Sequence, residues 1–185
     1  SRFITPRMPS DDLSVGDDGT PLAPGEVGEI EFYGPNLIRG YWNNPEATAA
    51  TFHDGWLRTG DLGRIDDEGF VYVEDRAKDM VIRGGENIYC AEVEGVIYEH
   101  PAVYEVAVFG IPHERLGEEL VAAIVLRPGA SVTEDEIREH VKAHLAPFKV
   151  PSRIEFSEQQ LPRNATGKIL KRELRDELVK AADAS

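Results

Sequence analysis

Four stretches of this sequence set chemically capable side chains beside backbone that can come close to a ligand. The first, residues 54–61, ends in Thr59-Gly60-Asp61. A carboxylate that follows a glycine can lie against a bound molecule, and its two oxygens can accept both hydroxyls of a ribose. An aspartate in an ordinary turn is the plainer alternative. The second, residues 75–94, begins with Asp75-Arg76 and contains Gly84-Gly85-Glu86. Arg76 is a permanent cation able to fork onto hydroxyl or phosphate oxygens. Two glycines without Cβ atoms let the backbone pass close to something slender, although a tight turn with a surface arginine fits the same residues. The third, residues 109–118, reads as a turn-rich connection between two buried strands and carries no evident chemistry. His113 reads there as a surface residue, with no second histidine near enough to suggest a metal pair. In the fourth, Lys168 closes the loop Pro162-Arg163-Asn164-Ala165-Thr166-Gly167 at the start of an apolar-striped helix. A lysine puts one compact charge on a flexible stem. The glycine spacing of a nucleotide P-loop is absent.

Charge narrows the choice of partners. The 185 residues carry a formal net charge of −14, divided as −8 over residues 1–78 and −6 over 79–185. A phosphate backbone needs a basic footprint, so nucleic acid is not an expected partner. Residues 163–175 go against the trend, with Arg163, Lys168, Lys171, Arg172 and Arg175 against only Glu173. This island is either a place for a phosphate or a solvated basic helix face. Cys90 is the one cysteine, which excludes an internal disulfide and fits a reducing compartment. No apolar run approaches the roughly 20 residues that span a bilayer, and the first residues lack a secretory pattern. The expected location is cytoplasmic.

The elements that must position these residues follow from periodicity. Residues 29–33 alternate polar and apolar as in a half-buried strand. Residues 62–65 and 70–73 flank Asp66-Asp67-Glu68-Gly69, a hairpin signal. Residues 40–60 read as turn-rich, with Asn43, Asn44 and Pro45. A short hairpin is expected over 79–83 and 87–89, turning at Gly84-Gly85. Val93, Val96 and Ile97 predict a helix over about 91–100. Strands are expected at 103–109 and 120–126, the second apolar throughout and so buried on both faces. Thr133 with Glu136 forms a capping box ahead of Ile137, Val141 and Leu145 at helical spacing. A short strand at 154–156 and a helix striped by Leu170, Leu174 and Leu178 complete the chain.

In this order and spacing the four stretches resemble the adenylate-forming enzyme superfamily, most of all its acyl-CoA synthetases. The likeness covers about residues 25–177, including Gly25-Glu26-Val27-Gly28-Glu29-Ile30 and the run from Gly40-Tyr41-Trp42 to Ala47-Thr48. Residues 1–20 fall outside it. The resemblance implies an α+β chain. Residues 1–77 would be a β-rich piece of the large N-terminal domain, and 78–185 a small, mobile α+β C-terminal domain. It implies an AMP-forming acid–CoA ligase that uses ATP, Mg2+ and CoA and turns a carboxylic acid into an acyl-adenylate and then a thioester. By resemblance Lys168 is the adenylation lysine, Asp61 and Arg76 hold the nucleotide, and Lys78 is the hinge. Gly84, Gly85 and Glu86 then line the pantetheine tunnel. Lys149 and Arg153 are candidates for the CoA phosphates, although Val150 and Ser152 stand where some relatives carry basic residues. No protein metal site is implied. Because the family's phosphate loop and acyl pocket lie upstream of these residues, the fragment is expected to be inactive without the upstream part of its own large domain. A homo-oligomer is compatible with the resemblance. Acetylation of Lys168 would remove its charge, a control that some family members use. The alternatives are an adenylation domain that loads a carrier protein, a luciferase-like enzyme and a non-catalytic isolated domain. Gly-Glu-Asn-Ile at 85–88 favours CoA ligation.

Overall fold

The computed structural model describes residues 11–16 and 19–183. The chain forms two compact units that divide between Lys78 and Asp79. Among the described residues, no helix is long and apolar enough to cross a membrane.

The first unit is built on an antiparallel sheet. Strand β1 (Asp11–Val15) pairs with β2 (Gly28–Tyr33), whose alternation buries Ile30 on one face. After helix α1 (Pro45–Thr51), β3 (Phe52–His53) turns into the long β4 (Trp56–Ile65), and β4 pairs in turn with β2, β3 and β5 (Val71–Arg76). The hairpin expected across residues 66–69 is present: Asp66 Oδ1 accepts the amides of Glu68 and Phe70. The stretch expected to be merely turn-rich is not. Asn44 caps α1 by accepting the Ala47 amide, and Pro45 begins the helix, where its missing N–H costs nothing. Asp54-Gly55 then makes a two-residue hairpin turn with φ of 48° and 90°. Asp-Gly is favoured at such a turn, which needs positive φ at both positions. Each of these signals is local, and the many turn formers around them masked the elements they start.

The second unit layers helices on both faces of a sheet. Its hairpin of β6 (Val81–Arg83) and β7 (Glu86–Ile88) leads into α2 (Cys90–Tyr98). Strands β8 (Val103–His113) and β9 (Gly117–Leu126) form a long antiparallel pair. Helix α3 (Glu134–Lys142) makes the crossover that a parallel neighbour requires, and β10 (Arg153–Ser157) pairs parallel with β9. Helix α4 (Lys171–Asp183) ends the described chain. The capping box at Thr133 and Glu136 is present in both directions.

Strand β9 explains its own apolar run. Leu120, Ala122 and Ile124 pack with Val93 and Ile97 of α2 and Ile137 and Val141 of α3. Val121, Ala123 and Val125 face the other way, with Leu161, Ile169, Leu174 and Leu178. Each face has its own helical layer, so period-2 alternation disappears from the sequence.

The connection expected over 109–118 proves to be mostly strand. The ladder runs out to His113 opposite Gly117 and leaves a turn of Glu114-Arg115-Leu116. Pro112 is tolerated because β8 is bonded on one side only, where a missing N–H breaks no ladder. His113 Nδ1 accepts the amides of Arg115 and Leu116, so its role here is to close the turn. Ile124 is fully buried. Ile124→Ala is expected to destabilise the 185-residue chain by about 2–5 kcal/mol in urea unfolding, and a loss below about 1 kcal/mol would contradict the two-faced packing.

Candidate active site

Two separate constellations hold the residues singled out above. In the first unit, β4 carries a glycine with positive φ, Gly60 at 71°, next to register shifts against both neighbouring strands. Such a bulge re-aims the side chain that follows. Thr59 Oγ1 locks it, donating to the Ile30 carbonyl at 2.7 Å and accepting the Asp61 amide at 3.0 Å. The Gly60 amide donates to Glu29 Oε1 at 3.0 Å, and the Gly60 carbonyl accepts from Ala77. Asp61 is thereby set opposite Arg76, whose Nε donates to Asp61 Oδ1 at 2.6 Å. Both side chains keep solvent access, 30% for Asp61 and 44% for Arg76. Below them Glu29 and the buried Glu31 face Arg58. The hydrogen bond and charge of Glu29 raise the Arg58 guanidinium above its ordinary value, with burial opposing and Glu31 adding to the rise. Lys78 lies exposed in the turn that follows β5.

In the second unit, Gly84 and Gly85 occupy the two-residue turn between Arg83 and Glu86, with φ of 60° and 90°. The turn itself therefore demands glycine, and beyond Gly85 a Cβ would meet open space. The Gly84 amide donates to Leu116 and the Ile82 amide to Glu118, which moors this hairpin to the β8–β9 turn. Gly84, Gly85 and Glu86 are all exposed. Lys149 and Arg153 are both engaged by carboxylates: Lys149 Nζ lies 2.5 Å from Glu92 and Arg153 Nε 2.5 Å from Glu155. A phosphate reaching either cation would have to approach beside that carboxylate's negative charge.

Lys168 does not begin the last helix, which starts at Lys171. It sits on a small bridged loop closed by the pair Arg163 and Ile169. Asn164 organises the loop, its Oδ1 accepting from the amides of Thr166 and Lys168 and from the Thr166 hydroxyl. Backbone bonds from Asn164 to Lys168, from Gly167 to Asn164 and from Leu170 to Pro162 complete it. The backbone under Lys168 is thus tightly bonded while the side chain is exposed. The basic island is a solvated helix face only in part, with Arg172 of α4 92% exposed. Arg163 meets Glu105, Lys171 meets Glu94, Arg172 meets Asp176 and Arg175 meets Glu118. Among the described residues, Lys168 is the one cation of the island with no carboxylate partner.

A family model described as the AMP-binding enzyme C-terminal domain matches residues 92–168 and ends on this lysine. Over these residues the chain is similar to AMP-binding enzyme C-terminal domains. A long-chain-fatty-acid–CoA ligase of Bacillus subtilis is 47% identical over 171 residues, covering 91% of this chain and 30% of the relative. A 2-succinylbenzoate–CoA ligase of Geobacillus kaustophilus is 48% identical over 170 residues, covering 92% and 34%. The crystal structure of ATP-bound MatB from Rhodopseudomonas palustris superposes with a TM-score of 0.84 at 40% identity, over 91% of this chain and 34% of that one. The chain therefore spans about a third of the length of the curated relatives it matches, and it corresponds to the C-terminal portion of adenylate-forming enzymes.

Three carboxylates were not anticipated from sequence: Glu29 in the first unit, and Glu94 and Glu105 in the second. Within the second unit, Glu94 Oε1 accepts the Val108 amide at 2.7 Å and pairs with Lys171 Nζ at 2.7 Å. Burial works to lower the Lys171 pKa, but the charge and hydrogen bond of Glu94, helped by Cys90 and Asp79, outweigh it and hold the ammonium above its ordinary value. A lysine whose folded pKa is raised contributes stability below its unfolded value of roughly 10.4 and loses it as pH climbs through the higher folded value. Lys171→Met is accordingly expected to cost about 1–3 kcal/mol at neutral pH, with the gap to the unsubstituted chain closing only above that range. Chemical denaturation at a series of pH values reads this, and a gap that closes near pH 7 would contradict the pairing.

Proposed function

We propose that this chain is the C-terminal part of an ATP-dependent, AMP-forming acid–CoA ligase. In this reading residues up to Lys78 complete the large nucleotide-binding domain, and the rest is a mobile domain that pivots at Lys78. The observation that carries it is Lys168, an ammonium with no carboxylate partner among the described residues, on a loop whose backbone is fixed by hydrogen bonds.

The chemistry needs such a group. In the first step a carboxylate oxygen attacks the α-phosphorus of ATP, and the bond to pyrophosphate breaks. Two anions must approach each other, and an ammonium reaching both positions them and offsets the charge that develops. Asp61 accepts the ribose hydroxyls, and Arg76, already fixed on Asp61, reaches the nucleotide beside it. In the second step the CoA sulfur attacks the acyl carbon, the bond to AMP breaks and the thiol proton is lost. Lys168 has no task then, so a pivot that removes it and brings in Gly84, Gly85 and Glu86 lets one domain serve both steps. Lys149 and Arg153 serve the CoA phosphates in competition with the charges of Glu92 and Glu155. Mg2+ would travel with the ATP phosphates. Among the described residues no group of three His, Cys, Asp or Glu is arranged to hold a metal.

CoA ligation is favoured over carrier loading by the sequence Gly85-Glu86-Asn87-Ile88 and by the names of the curated relatives. The acid is set elsewhere: two relatives of nearly equal identity are named for a long-chain fatty acid and for 2-succinylbenzoate.

In the complete enzyme, Lys168→Ala is expected to slow acyl-adenylate formation by at least about 10²–10³-fold, the scale for losing one charge-stabilising contact. Thioester formation from supplied acyl-adenylate should stay within about twofold of wild type. Equal loss of both half-reactions would refute the division of roles. The 185 residues alone are expected to show no micromolar ATP binding by isothermal titration, and a heat signal in that range would overturn the view that the phosphate site lies upstream.

A further inference from the structure

Strand β8 contains a charged residue where its neighbours are apolar. Glu105 lies in the run Val103-Tyr104-Glu105-Val106-Ala107, and it is only 8% exposed. A carboxylate is buried to this degree only when donors meet it. The ladder shifts register between Val103 and Glu105, leaving Tyr104 as an extra, exposed residue. Val103, Val106 and Val108 pack on the α2–α3 side, whereas Ala107 and Phe109 pack on the α4 side. The bulge thus moves Glu105 onto the side of Ala107 and Phe109, the side that carries Leu161 and Ile169.

There both carboxylate oxygens are used. Oε2 accepts the Leu161 amide at 3.0 Å, at the entrance to the Lys168 loop. Oε1 receives Arg163 NH2 at 3.0 Å, and the same guanidinium donates through NH1 to the Gly167 carbonyl at 2.6 Å. Gly167 immediately precedes Lys168. One buried carboxylate therefore grips the loop at its start directly and at its tip through Arg163.

We infer that Glu105 is a positioning residue for adenylation, acting through Arg163 to fix the backbone from which Lys168 reaches its ligand. This deepens the proposed function and rests on it for the role of Lys168. The physical argument is that a long lysine side chain already spends conformational freedom on reaching a site. A base that wandered as well would multiply the poses to be excluded at each turnover. Glutamine at position 105 keeps the shape and can accept one hydrogen bond but removes the charge that holds Arg163. Alanine removes both grips.

Two measurements test this on different footings. In the complete enzyme, Glu105→Gln is expected to slow adenylate formation about 10-fold and Glu105→Ala about 100-fold or more, chiefly in kcat, while thioester formation from supplied acyl-adenylate stays within about twofold. In the 185-residue chain, hydrogen exchange of the amides in 161–170 should quicken at least about tenfold in Glu105→Ala, with residues 120–125 of β9 unchanged. Adenylation that survives both substitutions while Lys168→Ala abolishes it would overturn the positioning role and leave the proposed function standing. A parallel fall of both half-reactions, or faster exchange throughout β9, would reduce Glu105 to a merely structural residue and also overturn it. If Lys168→Ala spares adenylation, the proposed function fails and the catalytic part of this inference fails with it. The exchange measurement then still decides whether Glu105 holds the loop.

Discussion

Strand β9 is buried on both faces, and the rest of the C-terminal unit is arranged around that fact. A strand with apolar side chains on both sides needs two covering layers. The crossover through α3 supplies one of them together with α2. The other has to come from the chain after β10, which is where Leu161, Ile169 and helix α4 lie. The loop bearing Lys168 is thus not an appendage. It spans the two anchors of that second layer, Leu161 at 3% exposure and the half-buried Ile169, so its ends are placed by hydrophobic packing. Its interior is then fixed by hydrogen bonds.

Carboxylates do much of that fixing. In a chain of net charge −14, several acidic side chains accept backbone amides as well as cations. Glu29 takes the Gly60 amide and Arg58, Glu94 the Val108 amide and Lys171, and Glu105 the Leu161 amide and Arg163. Each joins segments far apart in sequence, and each stands next to a residue singled out for chemistry. A buried carboxylate that lost one of its donors would be left with an uncompensated charge, which makes these junctions resistant to piecemeal loosening. Arg163 and Lys171 of the basic island are held against carboxylates in this way, whereas Lys168 has no carboxylate partner among the described residues.

The two constellations use opposite devices to present a side chain. Asp61 and Arg76 are set by a sheet: a glycine bulge aims one strand residue at another across a ladder, and their ion pair is partly exposed. Such a pair adds little to stability by itself, so its fixed geometry matters more than its strength. Lys168 is set by a loop whose own turn chemistry, centred on Asn164, imitates the rigidity of a regular element.

Much of this was legible in the sequence because the signals are local. The hairpin turning at Gly84-Gly85, the Thr133 capping box, the two-faced strand at 120–126 and the strand carrying Glu29 depend on a few neighbouring residues or on a simple period. So does the superfamily resemblance, which lives in ordered short motifs. Helix α1 and the Asp54-Gly55 turn were equally local, but they were obscured by a crowd of turn formers. What required the tertiary structure was every pairing between distant segments. No period reveals that Glu105 meets Arg163, that Glu94 meets Lys171 or that Lys149 and Arg153 are occupied by Glu92 and Glu155. The sequence alone determined which side chains could act and which elements would carry them, since backbone preference and periodicity are properties of neighbours. Only the tertiary structure decided which charges are neutralised and which are left in solvent, because that depends on which distant residues share a buried, weakly screened space.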